Sequence, residues 1–351
     1  MRNTIMTSRL HFTQKLPGSH LFESQTLIIY DRKLPRQMPE LRRWLKQMPV
    51  SYGVAAGESL KDVGHFAGHI QKILTLSENF SPAKMRIVTV GGGSVGDFGG
   101  FVASVLKRGV RLSHIPSTWL SALDSAHGGK TALNVQNFKN QIGTFYAADD
   151  VYLVRHVLMK QPEARAQEAF GELAKMALID GRKWTRSLLR GRLGGNDLIW
   201  KYLRPAVEAK YTWVERDPFE EQGIRQILNL GHTFGHVLEA SRGTPHGLAV
   251  AQGLYFSLKW SLQRGIIPLK DYFTCVELLN ARLHIACWLE GRQRFEPIPL
   301  RIFERALAHD KKRSSRDQLN FVFLRRWGRP FLLRVEYADV IKEARRQGWT
   351  R

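Results

Sequence analysis

The chain has 351 residues, of which 43% are apolar and 24% charged, and its 53 Lys and Arg against 31 Asp and Glu give a net charge of +22. That length accommodates two domain cores, and no apolar run approaches the ~18–20 residues needed to cross a bilayer. Cys275 and Cys287 form no CxxC pair and are too few for a disulfide framework; with an N-terminus (MRNTIMTSRLHF) that lacks a signal-peptide core, this predicts a cytoplasmic protein. The basic residues are spread along the chain without zinc-finger, RNP-type or basic-zipper spacing, so nucleic acid is not the expected partner despite the charge. An anionic small substrate or a generally basic proteome are the remaining readings.

The first half alternates short apolar runs with helical patterns, as a mainly parallel sheet with crossover helices does. Gln25–Tyr30 (QTLIIY) reads as a strand ending at Asp31, which is either a ligand contact or a solvated turn acid. A helical pattern over Leu34–Lys46 leads to a strand over Ser51–Ala55, followed by Gly57, Glu58 and Lys61. In Arg86–Phe101 (RIVTVGGGSVGDFGGF) a β-branched run stops at three glycines and restarts as a helix. Gly91, Gly93 and Gly96 satisfy GxGxxG between strand and helix, where residues without a Cβ let backbone N–H groups approach a pyrophosphate. The acidic residue expected about 20 positions on is missing, because Pro116 and Ser117 stand there, so a ribose would be held by Asp31 or Glu58. Val110–Pro116 gives another strand, running into Ser117 and Thr118. Asp124, Lys130, Lys139 and Asn140 then gather among glycines, as ligands for an anionic hydroxylated substrate or as a solvated loop.

From about Pro162 helical periodicity takes over, in Glu163–Ile179, Asn196–Tyr211, Arg225–Ala240 and Gly247–Gly265. The expected division is an α/β domain over residues 1–161 and a mainly helical domain over 162–351. Glu172 and Lys175 share a helix face at i, i+3, either as a surface ion pair or with Glu172 as an oxygen ligand, Glu168 being its nearest competitor. His232 and His236 would project from one helix face, and His246 follows a loop marked by Gly243 and Pro245. HxxxH alone is a weak signal, more often solvated or core than metal-binding. Imidazoles joined by an oxygen ligand nevertheless suit a borderline divalent metal such as zinc. Ile302–Lys312 reads as a helix ending in HDKK, Leu319–Leu324 and Pro330–Val335 as a hairpin around Gly328, and Ala338–Gln347 as a closing helix.

In this order, GGGSVGDFGGF, RGVRLSHIPSTWL, DSAHGGKTALN, KNQIGTFY, FGELAKMALI, LNLGHTFGH and PHG resemble the motifs of the 3-dehydroquinate synthase family of sugar-phosphate cyclases, from about Gly57 to Lys312. The resemblance implies a dehydroquinate synthase-like fold. An α/β Rossmann-like N-terminal domain would hold NAD and a mainly α-helical C-terminal domain a divalent metal (zinc or cobalt), with substrate between them. The implied metal ligands are Glu172, His232 and His246. The implied NAD residues are Asp31, Glu58, Lys61, Gly92, Gly93, Asp97, Ser117 and Thr118, with Lys130 and Lys139 near the nucleotide–substrate boundary. For the substrate the resemblance implies Asp124, Lys130, Asn140, Lys175, Lys210, Arg225, Asn229 and His236, with one of Lys311 and Lys312. His236 would thus be a substrate contact rather than a ligand. Arg108 matches an arginine that reaches the partner's active site in family homodimers.

The resemblance also implies a lyase reaction of the shikimate pathway of aromatic amino acid biosynthesis: 3-deoxy-D-arabino-heptulosonate 7-phosphate to 3-dehydroquinate plus phosphate. Transient oxidation by NAD would acidify the C6 proton, phosphate would leave, the hydride would return, and an aldol closure would form the ring. The sequence departs from the family pattern in three places. Leu248 stands where a glutamate usually follows the third ligand, the loop from His236 to His246 is short, and His127 and Trp119 are bulky for their turns. A sibling cyclase acting on sedoheptulose 7-phosphate, a catalytically impaired relative and a polyol dehydrogenase are the alternatives.

Overall fold

The computed structural model describes residues 7–22, 24–136, 138–191, 194–283, 296–308 and 317–351. The chain divides into two compact units, Met1–Pro162 and Glu163–Arg351.

The first unit is built on strands β1 (Arg9–Thr13), β2 (Thr26–Asp31), β3 (Val50–Val54), β4 (Arg86–Gly91), β5 (Arg111–Pro116) and β8 (Asp150–Val154). They form one sheet in the order β1-β8-β5-β4-β2-β3, every neighbouring pair parallel. Strands buried on both faces need apolar side chains throughout, and Leu27, Ile28, Ile29, Ile87, Val88 and Val90 are all fully buried. The β3–β4 crossover carries α3 (Val63–Leu76), and the β4–β5 crossover carries α4 (Gly93–Val105). Two short helices, α1 (Leu34–Gln37) and α2 (Pro39–Leu45), replace the single expected helix over Leu34–Lys46. The break is Met38, extended at φ −131° because the ring of Pro39 disfavours helical backbone before it.

β3 and β4 lie on opposite sides of β2, so the winding direction reverses at the β2–β4 pair, where open α/β sheets bind ligands at their strands' carboxyl ends. At the opposite, amino end of the strands, Asp150 is clamped by Arg9 (2.9 Å), His11 (2.8 Å) and Arg86 (3.1 Å). Burial would raise this carboxyl, but those hydrogen bonds hold it below the usual range. The segment around Lys130–Tyr146, for which substrate ligands and a solvated loop are both open readings of the sequence, is an antiparallel hairpin of β6 (Lys130–Val135) and β7 (Phe138–Phe145), followed by β8 and the short α5 (Arg155–Leu158).

The second unit contains α6 (Glu163–Asp180), α7 (Lys183–Arg190), α8 (Gly195–Arg216), α9 (His232–Arg242), α10 (His246–Gln263), α11 (Leu269–Leu283), α12 (Leu300–Ala308), the hairpin β9 (Gln318–Leu324)–β10 (Pro330–Glu336) and α13 (Tyr337–Arg346). The expected helix over Arg225–Ala240 is interrupted. A 3-10 stretch, Ile224–Asn229, precedes Gly231, whose φ of +81° restarts the chain as α9. Phe234, Val237 and Leu238 of α9 join Phe256, Trp260, Phe303, Phe321, Phe323 and Trp349 in one core, with the Phe234 and Phe256 rings stacked at 4.4 Å. That core fixes the rotation of α9 and turns its histidine face away from the apolar side. Among the described residues, no helix is long and apolar enough to cross a membrane.

Candidate active site

At the carboxyl ends of the parallel strands, Asp31 closes β2 and Gly91 closes β4, adjacent in the sheet, while Ser117 follows β5 and donates its N–H to the Gly91 carbonyl at 2.8 Å. Gly92 caps α4, so the first backbone N–H groups of that helix have no partner within it. The approach is close: a Cβ on Gly92 would stand 3.1 Å from Thr118 Cγ2, and one on Gly93 3.1 Å from Ser125 Oγ. Gly57, at φ +136°, donates its N–H to Ser94 Oγ at 3.0 Å and sets the turn into Glu58–Lys61.

Beside this helix start the expected residues form one network. The buried Lys61 ammonium contacts Asp97 Oδ2 at 2.6 Å and Asn140 Oδ1 at 2.5 Å. Asn140, in left-handed backbone at φ +55°, donates its N–H to Asn134 Oδ1 at 2.9 Å, and Asn134 Nδ2 donates to Glu58 Oε2 at 2.8 Å. Burial pushes the Asp97 carboxyl up, against the pull of Lys61. Asn134 is a residue that motif reading passed over. The period-two rule on β6 puts it on the same face as Lys130 and could have found it. Asp124 sits in a five-residue π-type turn, Ser121–Ser125, a local geometry frequent at functional sites. Lys130 opens β6 and lies 6.0 Å from the Phe145 ring; Lys139 is exposed on β7. His127 is buried, with Nε2 2.8 Å from the Ala122 carbonyl, and Trp119 is fully buried, so both bulky departures serve the fold of their turn.

In the second unit, Glu172 on α6, His232 at the start of α9 and His246 at the start of α10 bring one ligand atom each within 4.8 Å of one another. Glu172 Oε1 is 3.3 Å from His232 Nε2 and 3.2 Å from His246 Nε2. Lys175 Nζ lies 2.5 Å from Glu172 Oε2, although that oxygen receives no well-directed hydrogen bond. This pair is not at the surface, since the two side chains are 2% and 1% exposed. Burial alone would raise Glu172, but the Lys175 charge and the two imidazoles hold it well below the usual carboxylate range. Burial and the Lys175 charge together lower His232, against the pull of Glu172. His246 is also opposed by burial, yet hydrogen bonds to Glu172 and Glu239 raise it to about 10.

His236 is outside the three-residue set, its ring 5.5 Å from that of His232. Lys210 and Arg225 are buried cations; Arg225 is oriented by Nη1 donating to the Pro218 carbonyl at 2.9 Å and by its N–H to Asp217 Oδ2 at 3.1 Å. Asn229 ends the 3-10 stretch two residues before Gly231. Arg108 is exposed and, with Lys107 and Gly109, occupies three consecutive left-handed positions at φ +66°, +49° and +109°. Lys311, Lys312 and Cys287 lie outside the described residues.

A doubly wound parallel sheet with a glycine-rich helix start, followed in the same chain by a helical unit holding a Glu–His–His set, is a fold shared with sugar-phosphate cyclases and with iron-containing alcohol dehydrogenases, one of which, from Thermotoga maritima, matches at a TM-score of 0.57 over 88% of this chain and 92% of that one. The crystal structure of a 2-deoxy-scyllo-inosose synthase with carbaglucose-6-phosphate, NAD+ and Co2+ superposes with a TM-score of 0.79 over 97% of this chain and 96% of that one, at 24% identity. The profile of the 3-dehydroquinate synthase N-terminal domain matches residues 51–168, and that of the C-terminal domain residues 169–313. The 3-dehydroquinate synthase of Alkaliphilus oremlandii is 40% identical over 64% of this chain, and that of Pelagibacter ubique 31% over 88% of this chain and 84% of the relative. The chain belongs to the 3-dehydroquinate synthase family. It spans 62% of the length of the Alkaliphilus oremlandii protein and between 54% and 64% of the length of six further curated relatives.

Proposed function

We propose that this chain is a 3-dehydroquinate synthase, a lyase converting 3-deoxy-D-arabino-heptulosonate 7-phosphate to 3-dehydroquinate and phosphate. The observation that carries the reading is the Glu172–His232–His246 set, with three donor atoms within 4.8 Å beside the buried Lys175 ammonium. One carboxylate oxygen and two imidazole nitrogens are a donor set that zinc or cobalt accepts. The start of α4 fits a pyrophosphate, because at Gly92 and Gly93 a Cβ would fill the space where backbone N–H groups must approach it. When bound, NAD supplies a hydride acceptor that returns the hydride within one turnover, and the divalent ion polarises the reacting hydroxyl and ketone oxygens.

The chain's own residues do the rest. Lys175 holds a positive charge in a water-poor position, where charge developing on a substrate oxygen is stabilised more than in bulk water. Arg225, already oriented by Pro218 and Asp217, pairs the substrate carboxylate, and such charge-assisted bonds are the strong ones. Lys210, Asn229 and His236 of the second unit, and Asp124, Lys130, Lys139 and Asn140 of the first, are the further residues that the family resemblance assigns to the substrate. Lys61 ties Asp97 and Asn140 into one element, so nucleotide and substrate residues are ordered together. The departing phosphate takes the C6 proton, and no protein base is required. The left-handed run at Lys107–Gly109 presents Arg108 outward, as a homodimer sharing that arginine requires.

The test is phosphate release by purified protein supplied with NAD, Co2+ or Zn2+ and the heptulosonate phosphate. One phosphate per substrate with no net NADH is expected. Release only from sedoheptulose 7-phosphate, or accumulation of NADH, would overturn the assignment.

A further inference from the structure

Helix α9 carries His232, His236 and Glu239 at i, i+4 and i+7, one continuous face. Glu239 is assigned no role by the family motifs, yet its Oε1 lies 2.8 Å from His246 Nδ1. The other nitrogen of that ring, Nε2, is 3.2 Å from Glu172 Oε1. The two nitrogens of an imidazole point in fixed, divergent directions, so what one bonds determines what the other can offer. A carboxylate on Nδ1 holds a proton there, so the ring nitrogen left to face a cation is Nε2, on the side of Glu172 and His232.

His246 needs such a brace more than its companions. Its side chain is 34% exposed, against 11% for His232 and 1% for Glu172, and it stands first in α10, directly after the Gly243–Pro245 loop. His232 has an equivalent brace of its own, with Nδ1 3.3 Å from the Leu230 carbonyl. The residues that follow His246 on α10, Gly247, Leu248, Ala249 and Val250, offer no carboxylate. Among the described residues, Glu239 and Glu172 are the carboxylates within hydrogen-bond reach of His246.

We propose that Glu239 is a positioning residue for the cation site, fixing the tautomer and ring orientation of His246 and thereby setting the affinity for the divalent ion. The proposal rests on the metal reading of Glu172, His232 and His246. Partners of this kind commonly change metal affinity by about 10–100-fold when removed.

The test is Co2+ binding by competition with a chromophoric chelator, together with the visible absorption spectrum of bound Co2+. Glu239→Ala should weaken binding by about 10–100-fold and alter the spectrum. Glu239→Gln keeps an acceptor at the same reach and should retain most of the affinity and the native spectrum. Glu239→Asp keeps the charge, loses the reach, and should resemble the alanine variant. If Glu239→Ala binds Co2+ within about twofold of the unaltered protein with the same spectrum, Glu239 positions nothing. Should the alanine variant not fold, unaltered affinity in the aspartate variant overturns the proposal equally. Failure of the unaltered protein to bind Co2+ or Zn2+ would overturn the metal reading itself, and this proposal with it.

Discussion

Gly171 and Gly247 meet backbone to backbone. A Cβ on Gly171 would stand 1.8 Å from the Gly247 carbonyl oxygen, and one on Gly247 only 1.4 Å from the carbonyl oxygen of Glu168. Each glycine is the chain neighbour of a proposed ligand, Glu172 or His246, so α6 and α10 bring those ligands together because neither has a side chain at the crossing. The same device recurs between α9 and α10, where a Cβ on Gly253 would lie 1.8 Å from the carbonyl oxygen of Gly231, the residue before His232.

Gly247→Ala should therefore force the two helices apart. Overpacking of a closed interface costs about 1–3 kcal/mol, and backbone atoms cannot yield as a side chain can, so the upper end is expected. Thermal unfolding and Co2+ titration together check this. A lower midpoint with weakened Co2+ binding is the expected pair of results, and a midpoint equal to that of the unaltered protein contradicts the account.

These contacts also show where sequence reading stops. The β2, β4 and β5 strands were legible because buried parallel strands demand uninterrupted apolar runs, and the GGG turn because its glycines fall between strand and helix. Strand β1 (RLHFT) has no such run, since its burial is only partial along its length, and its partner β8 lies far along the chain. For Glu172 and Lys175, the i, i+3 spacing is the same on a surface helix as on a buried one. Only the packing of α6, buried continuously from Ala169 to Ile179, separates the two readings. Glu239 shared a visible stripe with His232, but the partner that gives it meaning, His246, is brought opposite by a loop whose course the pattern does not specify. The glycines at 171 and 247 were visible as letters, whereas their contact belongs to the tertiary structure.

Glu172 and Lys175 should depend on each other for stability. Breaking a buried pair leaves one uncompensated charge and costs about 3–5 kcal/mol, while replacing both partners with apolar or neutral groups of similar shape is often close to neutral. Glu172→Gln and Lys175→Met should each destabilise the second unit, and the double variant should recover much of the loss while remaining inactive. Denaturant unfolding of the four proteins forms a double-mutant cycle. Strictly additive losses would mean that the two side chains act independently.

Lys61 is the joint of the first unit's network, holding Asp97 and Asn140 at 2.6 and 2.5 Å. Lys61→Met preserves much of the stem but removes the charge that draws those groups together. NAD binding should weaken by about tenfold, equivalent to about 1.4 kcal/mol, with a rise in KM for the heptulosonate phosphate because Asn140 loses its anchor. Calorimetric titration with NAD and steady-state kinetics test the two effects separately. A loss confined to stability, with NAD affinity unchanged, would make Lys61 a purely structural residue.

His114 is buried in the middle of β5, with Nδ1 2.6 Å from Thr89 Oγ1, and should make stability depend on pH. Burial lowers its pKa to about 4, whereas an unfolded chain titrates near 6.5, so the two states differ in proton uptake between these values. Above pH ~6.5 the ring is neutral in both states and has no effect on the pH dependence. As pH falls toward 4, the unfolded chain binds a proton that the folded chain does not, and stability declines by about 1.4 kcal/mol per pH unit, or about 3 kcal/mol in all. Below pH ~4 the folded ring also protonates and the slope ends. His114→Asn keeps a polar partner for Thr89 but cannot titrate. Its stability should be lower at pH 7 because side-chain volume is lost, and should fall less steeply than that of the unaltered protein between pH 6.5 and 4. Denaturant midpoints across that range, with imidazole NMR following ring protonation directly, decide the matter: parallel stability curves, or a His114 ring already charged at pH 5.5, would contradict a buried neutral histidine.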